Sequence, residues 1–252
     1  MIRLIDVTKT FKALHAVDQL SLEVGEGTIF GFLGPNGAGK TTTLKMMAGI
    51  LQPTSGQILI DGIDLSRDPT AAKKRIGFIP DRPFLYEKLT AVEFLRFIAG
   101  LYGMNRHGTL LSRIEDMLDR FDLLHWKDEL IESYSHGMKQ RLVMSAALLH
   151  EPKVLIVDEP MVGLDPRGAR LVKDIFQDRA RKGTTVFMST HSLDVAQEVC
   201  GEIGIIQAGR LIAQGSAEHL GELANMEGSL ESIFLKLTEG KQIAHGKPLS
   251  SS

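Results

Sequence analysis

Residues 28–42 read TIFGFLGPNGAGKTT. An apolar stretch runs into a glycine-rich loop, and a helix-forming segment, KTTTLKMM, follows at once. The loop fits the spacing G-x-x-x-x-G-K-[ST] over Gly34, Pro35, Asn36, Gly37, Ala38, Gly39, Lys40 and Thr41, in the strand–loop–helix setting that this pattern needs. Glycines leave no Cβ in the way, so successive backbone N–H groups turn inward around phosphate oxygens. The helix that follows points its positive end at the same place. Lys40 is then placed to reach the β- and γ-phosphates of a nucleotide, the Thr41 hydroxyl to ligate Mg²⁺, and Thr42 to add a phosphate contact. The competing reading is a glycine-rich turn that matches by coincidence, and the flanking strand and helix argue against it.

A phosphate loop needs an acidic partner for the metal, and residues 154–160, VLIVDEP, supply one. The apolar run suits a parallel strand buried on both faces, and ligands collect at the carboxyl ends of such strands. Asp158 stands at that end, placed to hold Mg²⁺ directly or through water. Glu159 is one acid more than the metal requires, and a carboxylate beside a γ-phosphate acts as a general base toward water. Taken alone, the pair also reads as a solvated turn closed by Pro160. His191 ends a further apolar strand, TTVFMSTHS, on the same side. Lone histidines are more often structural; this one is placed to meet the γ-phosphate or the attacking water.

The 252 residues carry 29 Lys and Arg against 31 Asp and Glu, a net charge of −2, so the global basic excess of a nucleic-acid binder is missing. One cysteine, Cys200, excludes an intrachain disulfide framework and fits a reducing cytosol. Charge from the third residue onward argues against a secretory signal, and no apolar run approaches the length of a membrane span, so any membrane role is expected through a partner. Strands dominate the first eighty residues. Helical patterns take over from about 85 to 150, including an apolar stripe at 110, 114, 117, 118, 121 and 124. Strand–helix alternation then resumes, and SLESIFLKLTEG (229–240) reads as an amphipathic helix. Residues 134–141, YSHGMKQR, place Ser135 as the N-cap of a long helix, with Gly137 in a first turn where glycine costs about 1 kcal/mol relative to alanine.

GPNGAGKTT, YSHGMKQR, LIVDEP, VGLDP and STH, in this order and at these spacings, resemble the ATP-binding-cassette (ABC) ATPases over roughly residues 2–240. The resemblance implies an α/β fold: a P-loop NTPase core with a mostly parallel sheet, an N-terminal antiparallel β subdomain and an inserted α-helical subdomain. It implies one domain over 1–240, with core 1–84 and 151–218, helical insertion 85–150 and C-terminal helix 219–240; the residues beyond, 241–252, end in KPLSSS and read as a disordered tail. It further implies two copies sandwiching two ATP molecules head to tail. Each site then draws its phosphate loop from one subunit and Ser135 with Gly137 from the other, so the glycine lets backbone N–H groups approach a phosphate held by the partner. Phe11, otherwise read as a core residue, matches the aromatic that stacks on adenine, and Asp165 matches a loop that communicates across the dimer.

Two departures stand out. The family's LSGGQ is here Tyr134-Ser135-His136-Gly137-Met138, and His136 is expected to turn away from the nucleotide rather than touch phosphate. Asp81, in FIPDRP, stands where the family has a glutamine near Mg²⁺ or the lytic water; it is shorter and charged, and still able to meet the metal. LYEKLTAVEFLRFIAGLYG and the closing helix resemble single-domain cytosolic ATPases of bacterial exporters. The expected function is therefore ATP hydrolysis, with Mg²⁺, that drives a separate integral membrane permease. The expected assembly is a homodimer or paired ATPase, cytoplasmic and peripheral at the inner face of the membrane, with no direct nucleic-acid contact. The alternatives are a non-transport ABC ATPase acting on ribosomes or nucleic acid, which one short cassette of net charge −2 disfavours, and a P-loop kinase or GTPase, for which no N-K-x-D motif appears.

Overall fold

Side chains alternate between buried and exposed along β1 (Ile2–Phe11) and β2 (Leu14–Val24), the pattern of an antiparallel sheet with one face on the core. Ile2, Leu4 and Val7 point inward from the first strand, and Val17, Leu20, Leu22 and Val24 from the second. The computed structural model describes residues 1–82, 84–104, 108–226 and 228–239. β3 (Ile29–Leu33) starts a second sheet, and α1 (Lys40–Met47) follows it across the glycine-rich loop. β4 (Ser55–Ile60) and the short β5 (Ile63–Asp64) return to the first sheet, whose order is β2-β1-β4-β5.

After α2 (Pro69–Lys74), β6 (Ile76–Ile79) joins the second sheet. The chain then leaves for α3 (Ala91–Leu101), α4 (Leu110–Arg120) and α5 (His136–Leu148). It re-enters through β7 (Val154–Asp158), α6 (Pro166–Arg181), β8 (Thr185–Ser189), α7 (Leu193–Val199) and the hairpin β9 (Glu202–Gln207) and β10 (Arg210–Gly215). The sheet order is β10-β9-β3-β8-β7-β6, parallel except for the β10 edge. Every residue of β3, β7 and β8 is buried, which is why their sequences are continuous apolar runs rather than alternations. Phe187 packs between Phe30 and Phe32 at centroid distances of 5.1 and 5.2 Å. A buried phenylalanine of this kind is worth about 3–5 kcal/mol against alanine.

The helical block shares its core with the sheet. Leu95, Ile114, Leu118 and Leu142 belong to one buried cluster with Leu155, Val157 and Val186. Thr90 and Glu93 close a reciprocal capping box at the start of α3. The apolar stripe read as running to 124 leaves the α-helix at Arg120, because Asp122 takes the left-handed conformation (φ 56°), and Leu124 starts a separate 3-10 turn, Leu124–Trp126. Residues 219–240, expected as one helix, hold α8 (Ala217–Ala224) and α9 (Leu230–Glu239), separated by Asn225 at φ 49°. The expected disordered tail, 241–252, lies outside the described residues.

His150 joins the two blocks. Its ring stacks on Tyr102 at the end of α3, centroids 3.7 Å apart, and its Nε2 lies 2.9 Å from the Ile76 carbonyl oxygen. That bond requires a proton on Nε2, so Nδ1 carries the lone pair, buried without a partner among the described residues. Burial, with Arg113 adding to it and the Ile76 carbonyl opposing, holds the pKa below its ordinary 6.5. The unfolded chain therefore binds a proton that the folded chain refuses. The contribution of His150 is complete above 6.5 and is lost as pH falls toward the folded value. In urea titrations, the stability advantage of the wild type over His150→Phe at about pH 7.5 should shrink at about pH 5.5. An advantage that stays constant would show that His150 titrates normally.

Candidate functional site

Three chain segments that are far apart in sequence end side by side. Parallel pairing sets Phe32 and Asp158 each opposite Ser189. The loop after β3, the acids after β7 and the residues after β8 therefore open on one edge of the sheet.

Gly34–Gly39 wraps the start of α1, with the Ala38 N–H donating to Pro35 O at 3.1 Å. Gly39 sits at φ 108°, and a Cβ there would lie 2.4 Å from Ala16 O, so only glycine fits. A Cβ on Gly37 (φ 78°) would meet nothing within 4 Å, because that side of the loop faces open space. No side chain caps α1, which leaves its first-turn N–H groups free to meet an anion. Lys40 is 9 % exposed and donates to Gly34 O at 2.6 Å and to Pro35 O at 3.2 Å, which folds its ammonium back over the loop. Burial lowers its pKa, and the charges of Glu159 and Asp158 oppose that shift.

Asp158 is 3 % exposed and accepts a hydrogen bond from Ser189 Oγ. Glu159 is held at φ 51°, a conformation that costs a non-glycine residue about 1–2 kcal/mol. Its N–H donates to Ser189 O at 3.2 Å, and its Oε2 accepts from His191 Nδ1 at 2.8 Å. The donated Nδ1 proton fixes the tautomer: in a neutral ring, His191 Nε2 carries the lone pair.

Lys40, Asp158 and Glu159 line a cleft of about 580 Å³, while His191 is not part of its wall and meets it only through its bond to Glu159. Phe11, Asn36, Gly37, Gly39, Lys40, Thr41, Thr42, Asp81, Asp158 and Glu159 form its wall, while Gly34, Pro35 and Ala38 complete the loop behind them. Phe11 is 46 % exposed and sits under Lys9 Nζ at 5.2 Å, so its ring is open to a planar ligand rather than buried in the core. Sequence reasoning passed over Leu14, His15, Ala16, Ala208 and Gly209, which also line the cleft, and Ser189 beneath it. A larger groove, about 840 Å³, lies between α7, α8 and α9, but no phosphate-cradling loop reaches it. Among the described residues, no three His, Cys, Asp or Glu side chains gather as a metal cluster. Thr41, Asp158 and Asp81 line the same cleft, and a hydroxyl and two carboxylates are hard oxygen donors. That set suits Mg²⁺, which keeps water and phosphate oxygens as its other ligands.

Ser135, Gly137 and Asp165 do not line this cleft. Ser135 Oγ accepts from Met138 N–H at 3.3 Å and caps α5, and Asp165 Oδ1 accepts from Gly168 N–H at 2.8 Å and caps α6. A Cβ on Gly137 would meet only Gly163 O at 3.4 Å and Leu164 at 3.8 Å, an ordinary contact, so nothing within the chain demands glycine there.

Residues 17–162 match the family model described as ABC transporter. The chain is 36% identical to the ABC transporter ATP-binding protein NatA of Bacillus subtilis (strain 168), over 95% of this chain and 99% of that protein. It is 38% identical to the bacitracin transport ATP-binding protein BcrA of Bacillus licheniformis, over 87% of this chain and 71% of that one. The probable multidrug ABC transporter ATP-binding protein YbhF of Escherichia coli (strain K12) is 39% identical over 92% of this chain, which spans 40% of its length. Among solved structures, an ATP-binding subunit of an ABC transporter superposes with a TM-score of 0.89 at 30% identity, covering 94% of this chain and 99% of that one. The ATP-binding cassette MJ0796, in a dimeric post-hydrolysis state bound to ADP and Pi, superposes with a TM-score of 0.76 at 26% identity, covering 86% of this chain and 98% of that one.

Gly39 tests the loop geometry directly. Gly39→Ala should destabilise the protein by about 2 kcal/mol or more in chemical denaturation, because positive φ and the Ala16 carbonyl both reject a methyl group. An unchanged midpoint would mean that the loop rearranges freely.

Proposed function

Because the chain belongs to the ABC transporter family, as one of its ATP-hydrolysing cassettes, we propose that two copies, or this chain and a paired ATPase, close on two ATP molecules and drive a separate membrane permease. Residues 1–240 act as one ATPase unit. The observation that carries the reading is a division. Lys40, Thr41, Asp158 and Glu159 share one cleft, while Ser135 and Gly137 stand at a Ser-capped helix start outside it. A second chain is what completes the site.

In the cleft, Phe11 takes the adenine face and the Gly34–Gly39 backbone with Lys40 takes the phosphates. Thr41 and Asp158 would hold Mg²⁺, with Asp81 beside them, and the metal would neutralise charge developing on the phosphates. Glu159 takes the proton from the attacking water, and His191 holds that carboxylate in place. Ser135 Oγ keeps its lone pair on the Met138 N–H, so its own proton is free for a phosphate of the partner's ATP. ATP then bridges the two copies, and hydrolysis releases them.

Among the described residues, no helix is long and apolar enough to cross a membrane. The permease therefore supplies the span and holds the ATPase at the inner face of the membrane. It docks where the core meets the helical block. Phe84 (81 % exposed), Tyr86 and Phe97 form an edge-to-face ladder there, with centroid distances of 6.2 and 5.6 Å. Ile50 and Leu101 are exposed nearby. The names of BcrA and YbhF, bacitracin transport and probable multidrug transport, support export as the direction.

Glu159→Gln should lower ATP turnover about 10²–10⁴-fold and accumulate ATP-bound dimers in size-exclusion chromatography, whereas Lys40→Ala should lose nucleotide binding itself. Wild-type turnover in Glu159→Gln would remove Glu159 from the role of base. Phe84→Ser with Tyr86→Ser should retain ATP hydrolysis and lose co-purification with the native membrane partner. Co-purification with ribosomes instead would overturn the transport reading.

A further inference from the structure

We propose that His136 is a positioning residue: its ring clamps the loop Met161–Asp165 onto the start of α5, so that Ser135, Gly137 and Asp165 meet the second copy as one rigid surface. The proposal rests on the two-copy ATP site proposed above and adds a part to it.

The observation is steric. A Cβ on Gly163 would lie 2.3 Å from His136 Cδ2 and 2.6 Å from its Nε2, so the imidazole already occupies that space, seated on the glycine. Gly163 needs to be glycine twice over, because its φ is also 79°. The loop beneath the ring is a closed turn, with Val162 N–H on Glu159 O at 3.2 Å and Leu164 N–H on Met161 O at 3.3 Å. It starts at Glu159, whose carboxylate holds His191, and ends at Asp165, which caps α6. Met138, Met161 and Leu164 each pack against the same buried core cluster.

Apolar packing and the ring carry this junction. Among the described residues, no hydrogen bond joins the first turn of α5 to residues 161–165. Gln140, one helical turn deeper on the same face, is 1% exposed, and neither of its amide atoms has a partner among the described residues. Without the ring, the close approach of the Gly137 backbone to Gly163 O and Leu164 is what remains between the α5 start and the loop. Two adjacent helix starts, each needed at the second copy, would then be free to move independently, and each would have to be ordered separately when the dimer closes.

The experiment reads ATP-driven dimerisation in the Glu159→Gln background by sedimentation velocity, and kcat and KM for ATP in chains with Glu159 intact. His136→Ala is expected to weaken dimerisation about five- to tenfold and to lower kcat/KM to match. Binding of a fluorescent ATP analogue to the single chain, and the melting temperature, stay at the wild-type values. His136→Phe keeps a flat ring over Gly163 without any hydrogen-bonding nitrogen and is expected to restore dimerisation. Gly163→Ala displaces the ring and reproduces the His136→Ala loss of dimerisation, with a lower melting temperature that its positive φ adds. Wild-type dimerisation by His136→Ala would overturn the clamp. So would a His136→Phe variant as defective as alanine, which would assign the imidazole to the partner's phosphate. If Glu159→Gln with His136 intact forms no ATP-dependent dimer, the two-copy reading itself fails and takes the clamp with it.

Discussion

The parallel register of β3, β8 and β7 is the constraint on which the rest depends. These strands are five residues each and buried throughout, so their pairing is held by apolar packing on both faces as well as by backbone hydrogen bonds. With Phe32 and Asp158 both opposite Ser189, the glycine loop, the acid pair and the His191 turn leave the sheet at one level. A slip of one residue would turn Asp158 to the other face of the sheet and take it away from Lys40. The short contact from Ser189 Oγ to Asp158 and the two bonds that Glu159 N–H makes to Ser189 exist because of that register.

Three local features at this edge are unfavourable for packing alone. Glu159 sits at positive φ, the α1 start is uncapped, and Lys40 turns onto carbonyls of its own loop. Each of these would be a defect in a helix or strand meant only to pack. Together they leave donors and carboxylates aimed at a common space, the arrangement that a phosphorylated ligand relieves. The helical block contributes no lining to the cleft, yet it shares one buried cluster with β7 and β8. Movement at α3 or α5 therefore bears on the strands that carry the acids. His150, stacked on Tyr102 and bonded to the Ile76 carbonyl, is a polar tie across that same boundary.

The starts of α5 and α6 lie outside the cleft but against each other. Ser135 and Asp165 each satisfy their own helix with a side-chain oxygen and keep further hydrogen-bonding capacity toward solvent. Gly137 has room for a methyl group within its own chain. His136, which departs from the family's glycine, has its ring where a Cβ on Gly163 would lie.

Much of this was legible in the chain alone, because its chemistry is encoded over short spans. Eight consecutive residues specify a strand-to-helix turn with inward N–H groups, and VLIVDEP announces both its burial and the acids at its end. Ser135 as a cap follows from local competition for backbone donors. Three kinds of feature were not legible. Helix ends were misplaced at Arg120 and Ala224, because single left-handed residues, Asp122 and Asn225, interrupt patterns that periodicity alone continues. The wall formed by Ala16, Ala208 and Gly209 depends on a hairpin tip some two hundred residues downstream, whose Gly209 N–H reaches the Ala38 carbonyl at 2.9 Å and whose Gly209 carbonyl accepts from Asp18 N–H at 2.9 Å. The seat of His136 on Gly163 needs the packing of α5 against the loop after β7. The sequence by itself determined which residues can bind phosphate, cap a helix or fill a strand, because those properties act between near neighbours in the chain. Only the tertiary structure decided which of them share a space, because sheet register and helix packing bring together groups whose separation in the chain carries no record of their contact.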